Sequence, residues 1–236
     1  MDTRIHFVII IGFCFFTLFQ AVVFAGGPDA GFEALREKLA YNHLHDKGIE
    51  NTKVLDAVYA VKRHLFLPRA LWSKAYEDIP LPLGKGYFIP EPSLTALIAD
   101  KLLLEGNESV LVIGTHEGYL CAVLSRLAKA VFTVETDYAN FKQAAAVFSA
   151  QGYGNIRMRL ISRYFDLGGD IHFARIVING CVPEIPSGLA GLLAEDGVLI
   201  APVGDPAGFQ KLIRITKKEN KTETRVLATV MYPPLE

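Results

Sequence analysis

The stretch VLVIGTHEGYL, residues 110–120, decides the fold. Apolar, partly β-branched residues lead into Gly114, and Gly118 follows four residues later, where helical spacing begins. Strand, glycine turn and helix in that order open a nucleoside-binding unit. Glycine lets the backbone approach a ligand closely, and the helix start faces it. His116 and Glu117 occupy the turn where small residues are usual.

Downstream, strands and helices alternate. Residues 131–136, 156–161, 174–179 and 198–204 read as strands. Residues 139–154 read as a helix, 185–197 as a short one, and the last two apolar runs as a closing antiparallel pair. Short apolar runs separated by helices predict a doubly wound, mostly parallel α/β sheet of about seven strands, Rossmann-like and covered on both faces. Ligands in such sheets bind beyond the carboxyl ends of the strands, at the switch point. That brings Gly114–Gly118, Glu135, Ser162–Tyr164 and Asn179–Cys181 around one crevice.

Upstream, residues 31–48 have near-helical apolar spacing closed by Gly48, and Asn51 or Thr52 caps a helix that Pro68 stops. The breaker-rich IPLPLGKGYFIPEP, residues 79–92, reads as an ordered loop or edge strand. Residues 93–106 read as a helix capped by Ser93 and ended by Gly106. Residues 30–106 form a helical cap with a substrate loop, and 107–236 the core, within one domain spanning 26–236.

The chain of 236 residues is 51% hydrophobic, enough for one sizeable core. A net charge of −1 lacks the basic bias that nucleic-acid binding needs. Residues 7–24 are almost wholly apolar, and Val23 and Ala25 fit a secretory cleavage site. Residues 1–25 therefore read as a signal peptide, or as a membrane anchor if uncleaved, with an exported domain behind them. Membrane contact, if any, runs through that segment alone. Cys121 and Cys181 remain, as buried hydrophobes or, in an oxidising compartment, a disulfide. No second histidine or cysteine lies at metal-ligand spacing from His116, so no metal site is expected.

The segment RHLFLPRALWSKAYEDIPLPLGKG, residues 63–86, closely resembles the protein-L-isoaspartate O-methyltransferase family. Gly114-Thr115, Gly118-Tyr119, Val134-Glu135, Pro202-Val203-Gly204 and the closing VMYPPL agree with it. The resemblance implies a class I methyltransferase that uses S-adenosylmethionine to methylate isoaspartyl carboxylates of damaged proteins. Its cofactor contacts would fall on Gly114, Thr115, His116, Gly118, Tyr119, Glu135 and Ser162. Glu135 would meet the ribose hydroxyls and the Gly114–Gly118 backbone the methionine moiety.

The chain departs from the family pattern at several of these places. After Gly86 the family carries Gln-Thr-Ile-Ser-Gln-Pro, where this chain has Tyr87-Phe88-Ile89-Pro90-Glu91-Pro92. Tyr87, Phe88 and Pro90 are the acceptor-loop candidates, either packed simply or stacking on a ligand. Ser162-Arg163 replaces the family's Asp-Gly. His116 reads as an exposed loop residue or a new ligand contact. Two functions stay open: the methyltransferase, or an exported, catalytically degraded relative serving as an interaction module. A third is a different nucleoside or acidic ligand drawn to His116 and Arg163.

Overall fold

The computed structural model describes residues 30–84, 87–165, 167, 172–219 and 221–235. Residues 1–25, read above as a signal or anchor, lie outside them.

The N-terminal part is helical. Helix α1 (Ala30–Glu37) runs into a π-helical turn at Lys38–Leu44, and α2 (Thr52–Ala60) follows. Asn51 caps α2 as expected, its side chain accepting from the Lys53 N–H. Two 3₁₀ turns, Arg63–Phe66 and Arg69–Lys74, lead to a small hairpin, β1 (Leu81–Gly84) and β2 (Tyr87–Ile89). Helix α3 (Pro92–Lys101) begins one residue before the expected cap, with proline in its first turn. Ser93 does not cap it. Asp78, fifteen residues upstream, accepts from the Ser93 N–H at 2.8 Å, so a tertiary contact takes the local cap's place. The helix also ends at Lys101, short of Gly106, because Leu103 turns into positive φ (54°).

The core contains β3 (Ser109–Ile113), α4 (Tyr119–Ser125), β4 (Ala130–Glu135), α5 (Tyr138–Ala150), β5 (Ile156–Leu160) and β6 (Phe173–Ile178). Helix α6 (Ser187–Leu192), β7 (Leu193–Val203), β8 (Gln210–Lys218) and β9 (Lys221–Val230) complete it. The seven strands run in the order β5-β4-β3-β6-β7-β8-β9. The first five are parallel, and β8 and β9 are added antiparallel. Residues 193–197, expected to finish a helix, instead begin β7. Leu193 pairs with Phe173 and is buried, so sheet pairing overrides the local helical pattern.

Strand β3 shows how the sheet is covered on both faces. Val110 and Val112 join the larger core with α2–α4, and Leu111 and Ile113 join a second core with Leu189 and Tyr164. Alternation with period two places all four in apolar surroundings. The chain leaves β3 toward β4 and β5, then crosses back to β6 on the other side. The carboxyl ends of β3 and β6 therefore border the switch point.

Candidate cofactor and acceptor site

Gly114 leaves β3 with φ 92°, its N–H bonded to the Val134 carbonyl on β4. A side chain there would be strained, and a Cβ would meet Leu235 Cδ1 at 2.8 Å and the Asn179 carbonyl at 3.2 Å. Thr115 turns inward: its hydroxyl lies 2.8 Å from that of Thr133, pinning the turn to β4. Gly118, also at φ 92°, starts α4 against the Phe148 ring. Tyr119 is buried beneath the Arg63 guanidinium, 5.6 Å from the ring centroid.

His116 is not the exposed residue expected of a loop. It is half-buried at φ 49°, and its Nε2 lies 2.6 Å from the Asn179 carbonyl oxygen. A carbonyl only accepts, so Nε2 carries the proton. The ring covers Gly114, 3.1 Å from where a Cβ would stand. Asn179 in turn donates to the Gly114 carbonyl at 3.0 Å and accepts from Tyr232 OH at 3.1 Å. These bonds tie the ends of β3 and β6 together across the switch point.

Glu135 ends β4 with no solvent exposure. Four donors satisfy it: the N–H groups of His116 (2.8 Å), Thr136 (2.8 Å) and Asp137 (3.0 Å), and Tyr164 OH (2.6 Å). A buried carboxylate requires such partners. The Tyr164 hydroxyl is pushed above its ordinary range by burial, then by this bond. Beside Glu135, the Asp137 side chain accepts from the Asn140 N–H and caps α5.

These groups border a cavity of about 760 Å³. His116, Glu117, Glu135 and Tyr164 line it, as do Tyr87, Phe88 and Pro90, with Asn179 and Tyr232. The acceptor-loop candidates and Glu135 thus line one cavity. Arg63 anchors them from below, donating to the Pro90 carbonyl at 3.0 Å and the Ala75 carbonyl at 2.7 Å. Gly114, Thr115, Gly118 and Tyr119 support the wall rather than line it. Ser162 is exposed and outside the cavity, as is Arg163; Tyr164 reaches in instead. Tyr232 was not singled out from sequence, and only its place in the closing VMYPPL marked it.

Burial pushes the Glu117 carboxyl above the ordinary range, against the pull of His116 and Arg63. Cys121 and Cys181 are both free and buried, and burial pushes the Cys121 thiol up to about 12. Among the described residues, no three His, Cys, Asp or Glu side chains cluster to hold a metal ion.

The doubly wound sheet with two antiparallel strands added at one edge, a glycine turn after its first core strand and a buried acid ending the next, is the class I methyltransferase fold. The chain belongs to the family of protein-L-isoaspartate(D-aspartate) O-methyltransferases, whose profile matches residues 35–236. It is 36% identical over 209 residues to protein-L-isoaspartate O-methyltransferase 2 of Shewanella sediminis, covering 89% of this chain and 86% of that one. It is 37% identical over 212 residues to the Dictyoglomus thermophilum enzyme, covering 87% and 92%. A Plasmodium falciparum structure, described as a putative protein-L-isoaspartate O-methyltransferase in complex with S-adenosyl-L-homocysteine, shares the fold. Its TM-score is 0.72 at 21% identity, covering 86% of this chain and 97% of that one. Family members use S-adenosylmethionine to methylate isoaspartyl carboxylates.

Two expectations are corrected. Export is not upheld: the matched relatives are named as ordinary protein-L-isoaspartate O-methyltransferases, and none of those names marks an exported form. Among the described residues, no helix is long and apolar enough to cross a membrane. The degraded, exported interaction module likewise finds no support among these relatives.

Proposed function

We propose that the cavity bordered by Glu135 and the Tyr87–Pro90 edge is where this chain methylates isoaspartyl carboxylates of proteins with S-adenosylmethionine. The observation that carries the reading is Glu135: a fully buried carboxylate ending β4, beside a positive-φ glycine turn, facing a cavity with room for a nucleoside. The donor set fits. Among the described residues Glu135 Oε2 takes one hydrogen bond, so it keeps capacity for a ribose hydroxyl. Residues 30–106 serve as the cap carrying the acceptor edge, and 107–236 as the cofactor-binding core.

S-adenosylmethionine, when bound, supplies an electrophilic methyl group. An ionised acceptor carboxylate needs no proton removed, so no general base is required and the residues work by positioning. Glu135 orients the ribose end. The turn from Gly114 to Gly118 fixes the height of the methionine end. Tyr87, Phe88 and Pro90 give an apolar edge that excludes water from the acceptor, and Arg63 holds that edge in place. The His116 ring over Gly114 would bound the space left for the methionine end.

The test is calorimetric titration with S-adenosylmethionine and its demethylated product, then methyl transfer to an isoaspartyl peptide against its aspartyl counterpart. Saturable micromolar binding and transfer to the isoaspartyl peptide alone are expected. No heat at millimolar ligand overturns the reading.

A further inference from the structure

The charges around the cavity are one-sided. Glu117, Glu135 and Asp137 line it, and the one basic-type side chain among the described lining residues is His116. Two of the acids are already engaged: Glu135 by four donors, and Asp137 by the start of α5. Glu117 differs. It takes no hydrogen bond from another side chain among the described residues, and it sits half-buried in the same wall as Glu135. Arg63, the nearest full cation acting on it, is spent on the carbonyls of Ala75 and Pro90. An acid so placed is held toward its neutral form by burial, and a cation in the cavity in front of it offsets the cost of ionising it.

We propose that Glu117 is a specificity-determining residue that reads the positive charge of the methyl donor, favouring the sulfonium over the neutral thioether product. This rests on the function proposed above. The donor enters as a cation at sulfur and leaves uncharged. The C–S bond breaks with its electron pair staying on sulfur, a new C–O bond forms to the acceptor oxygen, and two opposite charges vanish. Donor and product share the same ammonium, carboxylate, ribose and base, so only the sulfur charge separates them. Glu117 lies in the turn between Gly114 and Gly118 and lines the same cavity as Glu135 and Phe88. Sulfur joins the ribose and methionine halves of the ligand, so a donor seated between Glu135 and the Gly114–Gly118 turn would bring its charge toward this half-buried carboxyl, where screening is weak.

Such an interaction holds the ground state more than the transition state, where the sulfur charge is already falling. Its removal therefore acts on KM for the donor and leaves kcat equal or higher.

The experiment is calorimetric titration of the wild type and Glu117→Gln with S-adenosylmethionine and S-adenosylhomocysteine, with donor KM and kcat measured alongside. The expected result is about tenfold tighter binding of the sulfonium by the wild type. In Glu117→Gln, donor affinity falls about tenfold, product affinity stays within about twofold, and kcat does not fall; tenfold corresponds to about 1.4 kcal/mol. Equal loss for both ligands, or a ratio the substitution does not move, overturns the role of Glu117 alone. Failure of the wild type to bind either ligand sinks the proposed function instead. If Glu117→Gln does not fold, the wild type is titrated with an aza analogue carrying a protonated amine in place of sulfur. Binding no tighter than that of the thioether overturns the inference.

Discussion

Tyr164 places its hydroxyl 2.6 Å from Glu135 Oε1, on the carboxylate that faces the cavity. That oxygen also accepts the N–H groups of Thr136 and Asp137, so with the tyrosine as third donor it has no lone pair to spare. Oε2, with one protein donor among the described residues, keeps capacity for a ribose hydroxyl once a small shift exposes it, whereas Oε1 accepts one only by displacing Tyr164. Tyr164→Phe is expected to cost about 1–2 kcal/mol of stability through the lost charge-assisted bond. It should also tighten S-adenosylmethionine binding several-fold. Thermal melting and calorimetry on one preparation test both; a loss of affinity would mean that the hydroxyl contacts the ligand.

The order of strands and helices was legible because two periodicities do not overlap. Runs such as Val110–Ile113 alternate between two cores, while α5 keeps helical spacing. Glu135 was legible too, since a strand's carboxyl end is fixed once the strand is found. The parts of the site that sequence did not disclose are all long-range. Nothing local shows that His116 will bond the Asn179 carbonyl, 63 residues away, or that Asp78 will cap α3 in place of Ser93. Tyr164 rather than Ser162 reaches Glu135 because the segment after β5 turns, which propensity does not encode.

Gly118 and Gly152 separate backbone strain from packing. Both have positive φ, 92° and 72°, but a Cβ at Gly118 would stand 2.7 Å from Phe148 Cζ, while nothing lies within 4 Å at Gly152. Gly152→Ala is expected to cost about 1 kcal/mol, the left-handed backbone alone. Gly118→Ala should cost about 2–4 kcal/mol, since Phe148 must leave its buried position against α4. Denaturant midpoints at constant slope measure the difference. Equal losses would show that Phe148 yields freely.

His116 adopts a left-handed backbone to lay its ring over Gly114. His116→Gly removes that strain, of order 1–2 kcal/mol, and with it one hydrogen bond of similar worth. Stability should therefore change by less than about 1 kcal/mol. The space above Gly114 opens, so S-adenosylmethionine should bind more tightly. Weaker binding with unchanged stability would instead make the imidazole a ligand contact.

Asp78 joins the π-helical turn to α3. Burial would raise its carboxyl, but hydrogen bonds from Lys47, the Ser93 N–H and His43 outweigh that and hold it below its ordinary 3.8. A carboxyl lowered on folding adds stability that is complete above its unfolded value and is lost as pH falls through the folded one. The loss therefore lies below about pH 4. Urea midpoints at pH 7, 4 and 3 should fall across that window. Asp78→Asn should lower the pH 7 value by about 1 kcal/mol and shrink the acid-side drop.

Arg63 is fully buried, with its guanidinium divided between the Ala75 and Pro90 carbonyls and stacked over Tyr119. The two carbonyls belong to segments on either side of the hairpin, so one side chain sets the acceptor edge relative to the glycine turn. Lysine keeps the charge but cannot span both carbonyls with a planar fork or stack in the same way. Arg63→Lys is expected to destabilise the fold by about 2–4 kcal/mol, because at least one buried carbonyl loses a charge-assisted partner. Released from Arg63, the Pro90 segment drifts while Glu135 and its four donors stay in place. KM for an isoaspartyl peptide should rise several-fold, with the affinity for S-adenosylmethionine unchanged. Parallel loss of both would make Arg63 a general stabiliser, and unchanged peptide KM would remove the Tyr87–Pro90 edge from acceptor recognition.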